Sequence, residues 1–154
     1  MPLLKFNGDQ LYPAVEEAGH EVTLEEWQAN PQAHAGASAL VIPNDVAIDD
    51  LGIDVSDFNA IILQFPAFKD GRAYSQARLL RERFDYRGEL RARGEVLRDQ
   101  LLFMRRCGFD AFELAGSSIE GAGEAFDELS FAYQPGADGA VPVWHQRLHQ
   151  TKAA

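Results

Sequence analysis

AIILQFPAFKDGRAYSQARLLRERFDYRGELRA, residues 60 to 92, is a strand, a helix and a second strand in one continuous stretch. AIILQF, residues 60 to 65, is an apolar run with β-branched residues near its start, the pattern of a strand buried on both faces. Pro66 ends it. From Arg72 to Phe84 a helical period takes over: Ala73, Ala77, Leu80 and Phe84 fall at the i, i+4, i+7, i+11 spacing of one buried stripe. Tyr86-Arg87-Gly88 breaks the helix, and ELRA, residues 89 to 92, predicts the next strand.

The same alternation runs outward in both directions. ALVIP, residues 39 to 43, predicts a buried strand closed by Pro43, Asn44 and Asp45, and DVAIDDLG predicts one or two helical turns. Downstream, residues 95 to 107 predict a helix with a wide apolar face of Val96, Leu97, Leu101, Phe103, Met104 and Cys107. Gly108 stands ready to close it in a left-handed conformation. AFEL, residues 111 to 114, predicts a strand. Ser117 and Glu120 have capping-box spacing ahead of a helix carrying Ile119, Ala122, Phe126 and Leu129, and FAYQ, residues 131 to 134, predicts the last strand.

This order predicts an α/β fold: a small, mainly parallel sheet of about four to five strands flanked by helices, with right-handed βαβ crossovers. A closed eight-fold barrel would need roughly 250 residues, so only an open sheet or a barrel-like fragment fits. Residues 37–135 form the expected core. Residues 1–36 read as an N-terminal appendage of the same domain, with one or two short strands and a possible short helix in LEEWQANPQAHAG. Residues 136–154 read as a loosely structured tail.

The 154 residues carry a formal charge of -10, but the charge is uneven. Between residues 69 and 107 eleven Lys/Arg face six Asp/Glu, while the rest of the chain has three bases against eighteen acids. A cationic centre in an acidic molecule points to a local anion or partner site and away from nucleic acid, whose phosphates the acidic remainder would repel. No apolar run approaches the roughly 18 residues that span a bilayer, so no membrane role is expected. The N-terminus has no signal-peptide core, and a cytoplasmic address is the expectation. Cys107 is the single cysteine, which excludes an internal disulfide and a multi-thiolate metal site. No cofactor is evident, because neither GxGxxG after a strand nor a Walker lysine motif is present.

Parallel sheets bind ligands outside the carboxyl ends of their strands. Lys69, Asp70, Gly71 and Arg72 follow strand 60 to 65, Arg93 and Gly94 follow strand 89 to 92, and Ser117 and Ser118 follow strand 111 to 114. Helix N-termini there favour anions, the glycines allow close backbone approach, and arginine offers a planar fork for oxyanions. Asp70 either orients one arginine or caps the helix. Asp99 and Gln100 lie one turn into the second helix; Gln100 shares the side of Val96, Phe103 and Cys107 and predicts a buried, hydrogen-bonded amide. Cys107 reads as a buried structural residue. His20, His34, His145 and His149 read as surface residues, and no metal site is expected.

The stretches FPAFKDGR, SQARLLRER, GELRARG and LRDQLLFMRRCGFDAFEL together resemble the bacterial domain-of-unknown-function family nine-three-four, over about residues 40 to 134. That family is labelled as an oxidoreductase involved in sulfite reduction, and its genes tend to lie beside that of the sulfite reductase haemoprotein. The resemblance implies an accessory protein of assimilatory sulfate and sulfite reduction, acting with that haemoprotein or its electron donor. The alternative it leaves open is a small enzyme or sensor that binds a sulfur oxyanion or a nucleotide sulfate at the strand-end edge.

Overall fold

The computed structural model describes residues 2–7, 10–15, 19–115, 121–127 and 133–145. Its elements run β1 (Leu3–Asn7), β2 (Gln10–Ala14), β3 (Glu21–Thr23), α1 (Leu24–Ala29), β4 (Ala39–Ile42), β5 (Ala60–Phe65), α2 (Arg72–Glu82), β6 (Glu89–Gly94), α3 (Leu101–Arg106), β7 (Ala111–Glu113) and α4 (Glu124–Asp127). Single 3-10 turns occupy Pro31–His34, Ile48–Asp50, Val55–Asp57 and Arg98–Gln100.

The described strands make one seven-stranded mixed sheet in the order β2-β1-β7-β6-β5-β4-β3. Strands β3 to β7 are parallel, each beside its predecessor, whereas β1 is antiparallel to both β7 and β2. The sheet is therefore larger than the four to five strands expected, and partly antiparallel. The N-terminal 36 residues are the source of the difference, because they supply three strands rather than one or two. LLKFN covers the open side of β7, where Phe6 N–H donates to Asp110 C=O at 2.8 Å. QLYPA takes the outermost place, where Pro13 removes no ladder bond that a central strand would need.

Since the parallel strands advance in one direction, their connections fall on one side. Leu40, Ile42, Ile61, Leu63, Phe65, Leu90, Ala92 and Phe112 point to that side. There they meet Ala73, Ala77 and Leu80 of α2, Leu101 and Met104 of α3 and its C-cap Cys107 in one core. The opposite face alternates with it: Lys5, Glu21, Ala39, Val41, Ile62, Arg91, Arg93 and Glu113. On this face Arg93 of β6 pairs with Glu21 of β3 at 2.8 Å, although β5 and β4 lie between them. Three flat strand spacings of about 4.8 Å and a register offset of four residues at about 3.3 Å each would hold their Cα atoms roughly 19 Å apart, beyond the reach of the two side chains. The face is therefore concave, with the helices on the convex side.

Element boundaries shift where local geometry overrides period. Strand β6 runs two residues beyond ELRA, through Arg93 and Gly94. Gly94 has φ +117°, and a Cβ there would lie 2.2 Å from Phe65 C=O, so only glycine lets β6 finish against β5. The chain then stays extended, with Glu95 N–H on Phe65 C=O at 2.8 Å and Leu97 at ψ 157°. The helix expected from residue 95 consequently starts as a 3-10 turn at Arg98 and as α3 at Leu101, which leaves Leu97 and Phe103 outside the core. Phe84 also leaves the predicted stripe, because α2 ends at Glu82. The capping-box pair Ser117 and Glu120, together with Ile119, Leu129, Phe131 and Ala132 of the last predicted helix and strand, lies outside the described residues. Tyr133 and Gln134, which end FAYQ, form a bend. The start of the following segment is tied to α3: Ala137 N–H donates to Arg106 C=O at 2.8 Å, and Arg106 also bonds Gln134 C=O.

One arginine joins several of these pieces. Arg81 of α2 donates to the carbonyls of Tyr86 at 2.6 Å, Gly88 at 2.9 Å and Gly108 at 3.0 Å, and pairs with Asp110. Gly108, with φ +104°, leaves the room that Arg81 uses, since a Cβ there would meet the arginine stem at 2.6 Å. Arg83 only forms an exposed pair with Asp49 at 2.8 Å. Arg81→Ala is expected to lower unfolding stability by about 2–4 kcal/mol, because it removes the donor from three carbonyls and leaves Asp110 with Arg105 as its remaining cation. Arg83→Ala should cost less than about 1 kcal/mol. Urea melts of the two variants against the parent check both values.

Candidate functional site

The loop between β5 and α2 stands at the carboxyl edge of the sheet, as its sequence predicts. Asp70 orients Arg72 through Nε at 3.0 Å and Nη2 at 2.7 Å, and it accepts from Arg72 N–H at 3.3 Å. It thus does both expected jobs, holding the arginine and capping α2. Its carboxyl is held far below the usual range, chiefly by the Arg72 hydrogen bonds. Lys69 and Gly71 are exposed beside it. A Cβ on Gly71 would find ordinary room, with Tyr74 at 3.5 Å.

Arg93 does not join them. The two extra residues of β6 put it on the concave face, whereas α2 packs on the other. There Nε and Nη2 bond Glu113 at 2.7 Å and 2.9 Å, and Nη1 and Nη2 bond Glu21, both at 2.8 Å. The expected rim of converging Lys69, Arg72 and Arg93 is not formed. Gly94 is committed to its contact with β5. Asp99 is exposed. Ser117 and Ser118 lie outside the described residues.

The arginines of the cationic segment are all paired. Each of its ten arginines, from Arg72 to Arg106, forms an ion pair with a carboxylate among the described residues. Six of those acids, Glu21, Asp49, Asp110, Glu113, Glu124 and Asp138, come from outside residues 69 to 107. Lys69, by contrast, makes no ion pair among the described residues. The sequence signal of a basic patch therefore dissolves into compensated pairs.

Gln100 becomes the organising residue of the edge. It is buried, as predicted, and every contact it makes holds a neighbour in place. Its Oε1 accepts Leu97 N–H at 3.0 Å, its Nε2 donates to Phe68 C=O at 3.2 Å, and its amide lies beside the Tyr74 hydroxyl. Glu95 accepts Phe68 N–H at 2.7 Å. Both backbone polar groups of Phe68 are thus held by side chains from the next crossover, while the residue stays 47% exposed. Phe103, 56% exposed, packs on Tyr74 with ring centroids 4.9 Å apart, and Tyr74 packs on buried Phe65 at 5.1 Å. Beside them lies a cleft of about 250 Å³ lined by Tyr74, Arg78, Phe103, Arg106, Cys107 and Pro135. Burial pushes the Cys107 thiol up, which disfavours a reactive thiolate and fits the structural role expected for it.

The aromatic members escaped sequence reading. Phe103 was expected in the core because the helix was expected to begin at residue 95. The available signal was the width of that apolar face, too broad for one buried stripe. Phe68 had a simpler signal, a large aromatic placed inside a Pro/Gly-bounded loop. His20 and His34 approach each other at 5.8 Å, and His149 lies outside the described residues. Among the described residues no group of three or more His, Cys, Asp or Glu could hold a metal, and no helix is long and apolar enough to cross a membrane.

The architecture and edge define an α/β protein with a one-sided helical layer, a charged concave face and an aromatic patch at the carboxyl edge. Residues 39–144 match the family described as bacterial protein of unknown function (DUF934), and the chain belongs to that family. No curated protein and no solved structure matches it.

The concave network gives a pH-dependent expectation. Glu21 has its carboxyl lowered from 4.5, mainly by the Arg93 hydrogen bond and against the opposing effect of burial. A carboxyl depressed on folding stabilises the fold above its unfolded value, and the gain disappears as pH falls through the folded value. Wild type should therefore exceed Glu21→Gln in stability at neutral pH, with the gap closing as pH falls from about 5 to about 3. Urea midpoints for both chains at several pH values check the sign.

Proposed function

We propose that this chain is an accessory protein of assimilatory sulfite reduction that docks onto the sulfite reductase haemoprotein through the aromatic patch around Gln100. One observation carries the docking part: Phe68 keeps an exposed ring on a backbone whose N–H and C=O are both tied by Glu95 and Gln100. A ring already fixed before binding loses little conformational freedom when a partner covers it, and such aromatics dominate interface energies. Tyr74 and Phe103 extend the patch, and the half-exposed Leu97 is tied to Gln100 through its N–H. The pathway is supported by the resemblance in sequence, and the surface by the geometry.

Charge steering toward an acidic electron donor such as a ferredoxin or flavodoxin is the weaker reading, because the arginines that would provide it already face carboxylates. Phe68→Ala combined with Phe103→Ala is expected to weaken capture of the purified haemoprotein at least tenfold, with little dependence on salt. Both side chains are half exposed, so the double variant should melt close to wild type. Unchanged affinity in the variant overturns the docking surface. Capture of a ferredoxin or flavodoxin but not of the haemoprotein overturns the partner.

A further inference from the structure

The N-terminus of α2 is built for an anion, and the anion now resting there belongs to the chain itself. The helix has eleven residues, and its N-cap, Gly71, brings no side chain to the first-turn N–H groups. Asp70 fills that position, taking Arg72 Nε, Nη2 and N–H on one carboxylate. A second observation comes from the neighbouring crossover. Asn44, only 7% exposed, holds its Nδ2 without a full hydrogen-bond partner. That amide lies close enough to Asp70 to help depress its carboxyl. Gln76 of α2 fixes the turn around it, donating to Pro43 C=O and Val46 C=O, both at 2.8 Å. A buried donor left short of an acceptor is destabilising, so the position is poised for a better acceptor than Asp70 supplies.

We propose that Arg72, Lys69, Asn44 Nδ2 and the α2 N-terminus form a binding site for a small tetrahedral oxyanion of the sulfate or phosphate type, with Asp70 as its built-in competitor. An oxyanion takes the Arg72 fork from Asp70 and offers Asn44 Nδ2 a full acceptor with a second oxygen. Asp70 and Asp45, whose charge also acts on Arg72, oppose entry and keep the affinity of the wild-type chain low. No bond is made or broken; the site binds.

The test uses the isolated full chain, so its failure is distinguishable from failure of the docking surface. Inorganic sulfate and inorganic phosphate are titrated by calorimetry at constant ionic strength, balanced with sodium chloride. The chains are wild type, Asp70→Asn, Arg72→Ala and the double variant. Removing a like charge about 4 Å from a bound ion in water changes affinity by roughly fivefold. Asp70→Asn should therefore bind sulfate at least fivefold more tightly than wild type, and the double variant should lose that gain. The Asn44 side-chain amide resonance should move on sulfate addition in Asp70→Asn. Arg72 is exposed and Asp70 partly buried, and circular-dichroism melts check that each variant folds. No binding to Asp70→Asn, an affinity equal to wild type, or a double variant that binds as well as Asp70→Asn overturns the site.

Discussion

Arg91 and Glu113 lie on the concave face with 8% and 7% of their side chains exposed, so water cannot relieve either charge. Stripping an ion of water costs several kcal/mol, and a buried charge persists only when a partner and further hydrogen bonds replace that water. Here the replacement spreads into a chain of alternating sign. Lys5 meets Glu89 at 2.8 Å, Glu89 meets Arg91 at 2.8 Å, and Arg91 meets Glu113 at 3.3 Å. Glu113 then meets Arg93 at 2.7 Å, and Arg93 meets Glu21 at 2.8 Å. Three cations and three carboxylates sum to zero across β1, β7, β6 and β3. Such a ladder is weak evidence for stability, since apolar residues of equal size often serve as well. Its force is in register: a one-residue slip of β6 would drive Arg91 and Arg93 into the apolar core and lift Leu90 and Ala92 out of it.

Curvature accompanies that ladder, and the one-directional advance of the parallel strands sets the helices on its outer side. The Arg93–Glu21 pair closes only if the sheet bends around it. The crossovers β4 to β5, β5 to β6 and β6 to β7 then deliver their loops to one edge in succession. This explains why Asn44, Asp70 and Gln100, distant in sequence, become neighbours. It also separates two uses of arginine that look identical in the primary structure. Those in β6 bind the concave face together, while Arg81 ties α2 to the turns at 86–88 and 108–110.

The parallel core was legible because buried strands and amphipathic helices write different periods: ALVI, AIILQF and AFE stand as β4, β5 and β7, and Ala73, Ala77 and Leu80 face the core. The antiparallel edge was less so, since β2 contains Pro13, which removes the usual strand signal, and nothing local to β1 says that it will pair with β7. The loop cluster Lys69–Arg72 was legible as a place, and Asp70 as the group that holds Arg72. The fate of Arg93 was not, because two residues of extra strand decide which face it takes, and strand ends carry the weakest local signal. Net charge misled for a related reason. A count along the chain records which charges exist, whereas Glu21, Asp110, Glu113 and Asp138 meet their arginines only through the fold.

Rigidity at the carboxyl edge has the same origin as the loss of the cationic patch. Loops that carry function are usually the mobile parts of a fold, and their order must be supplied when something binds. In the β5–α2 loop it is supplied beforehand. Glu95 and Gln100 satisfy the backbone of Phe68, Gly94 lets β6 end directly against Phe65, and Asp70 holds Arg72. Each of these uses a polar or charged group on a neighbour inside the chain instead of offering it outward. What remains for an incoming molecule is therefore whatever internal pairing could not absorb: the rings of Phe68 and Phe103, the ammonium of Lys69 and the under-bonded amide of Asn44. A surface of that kind selects by shape and by a few directed donors rather than by field.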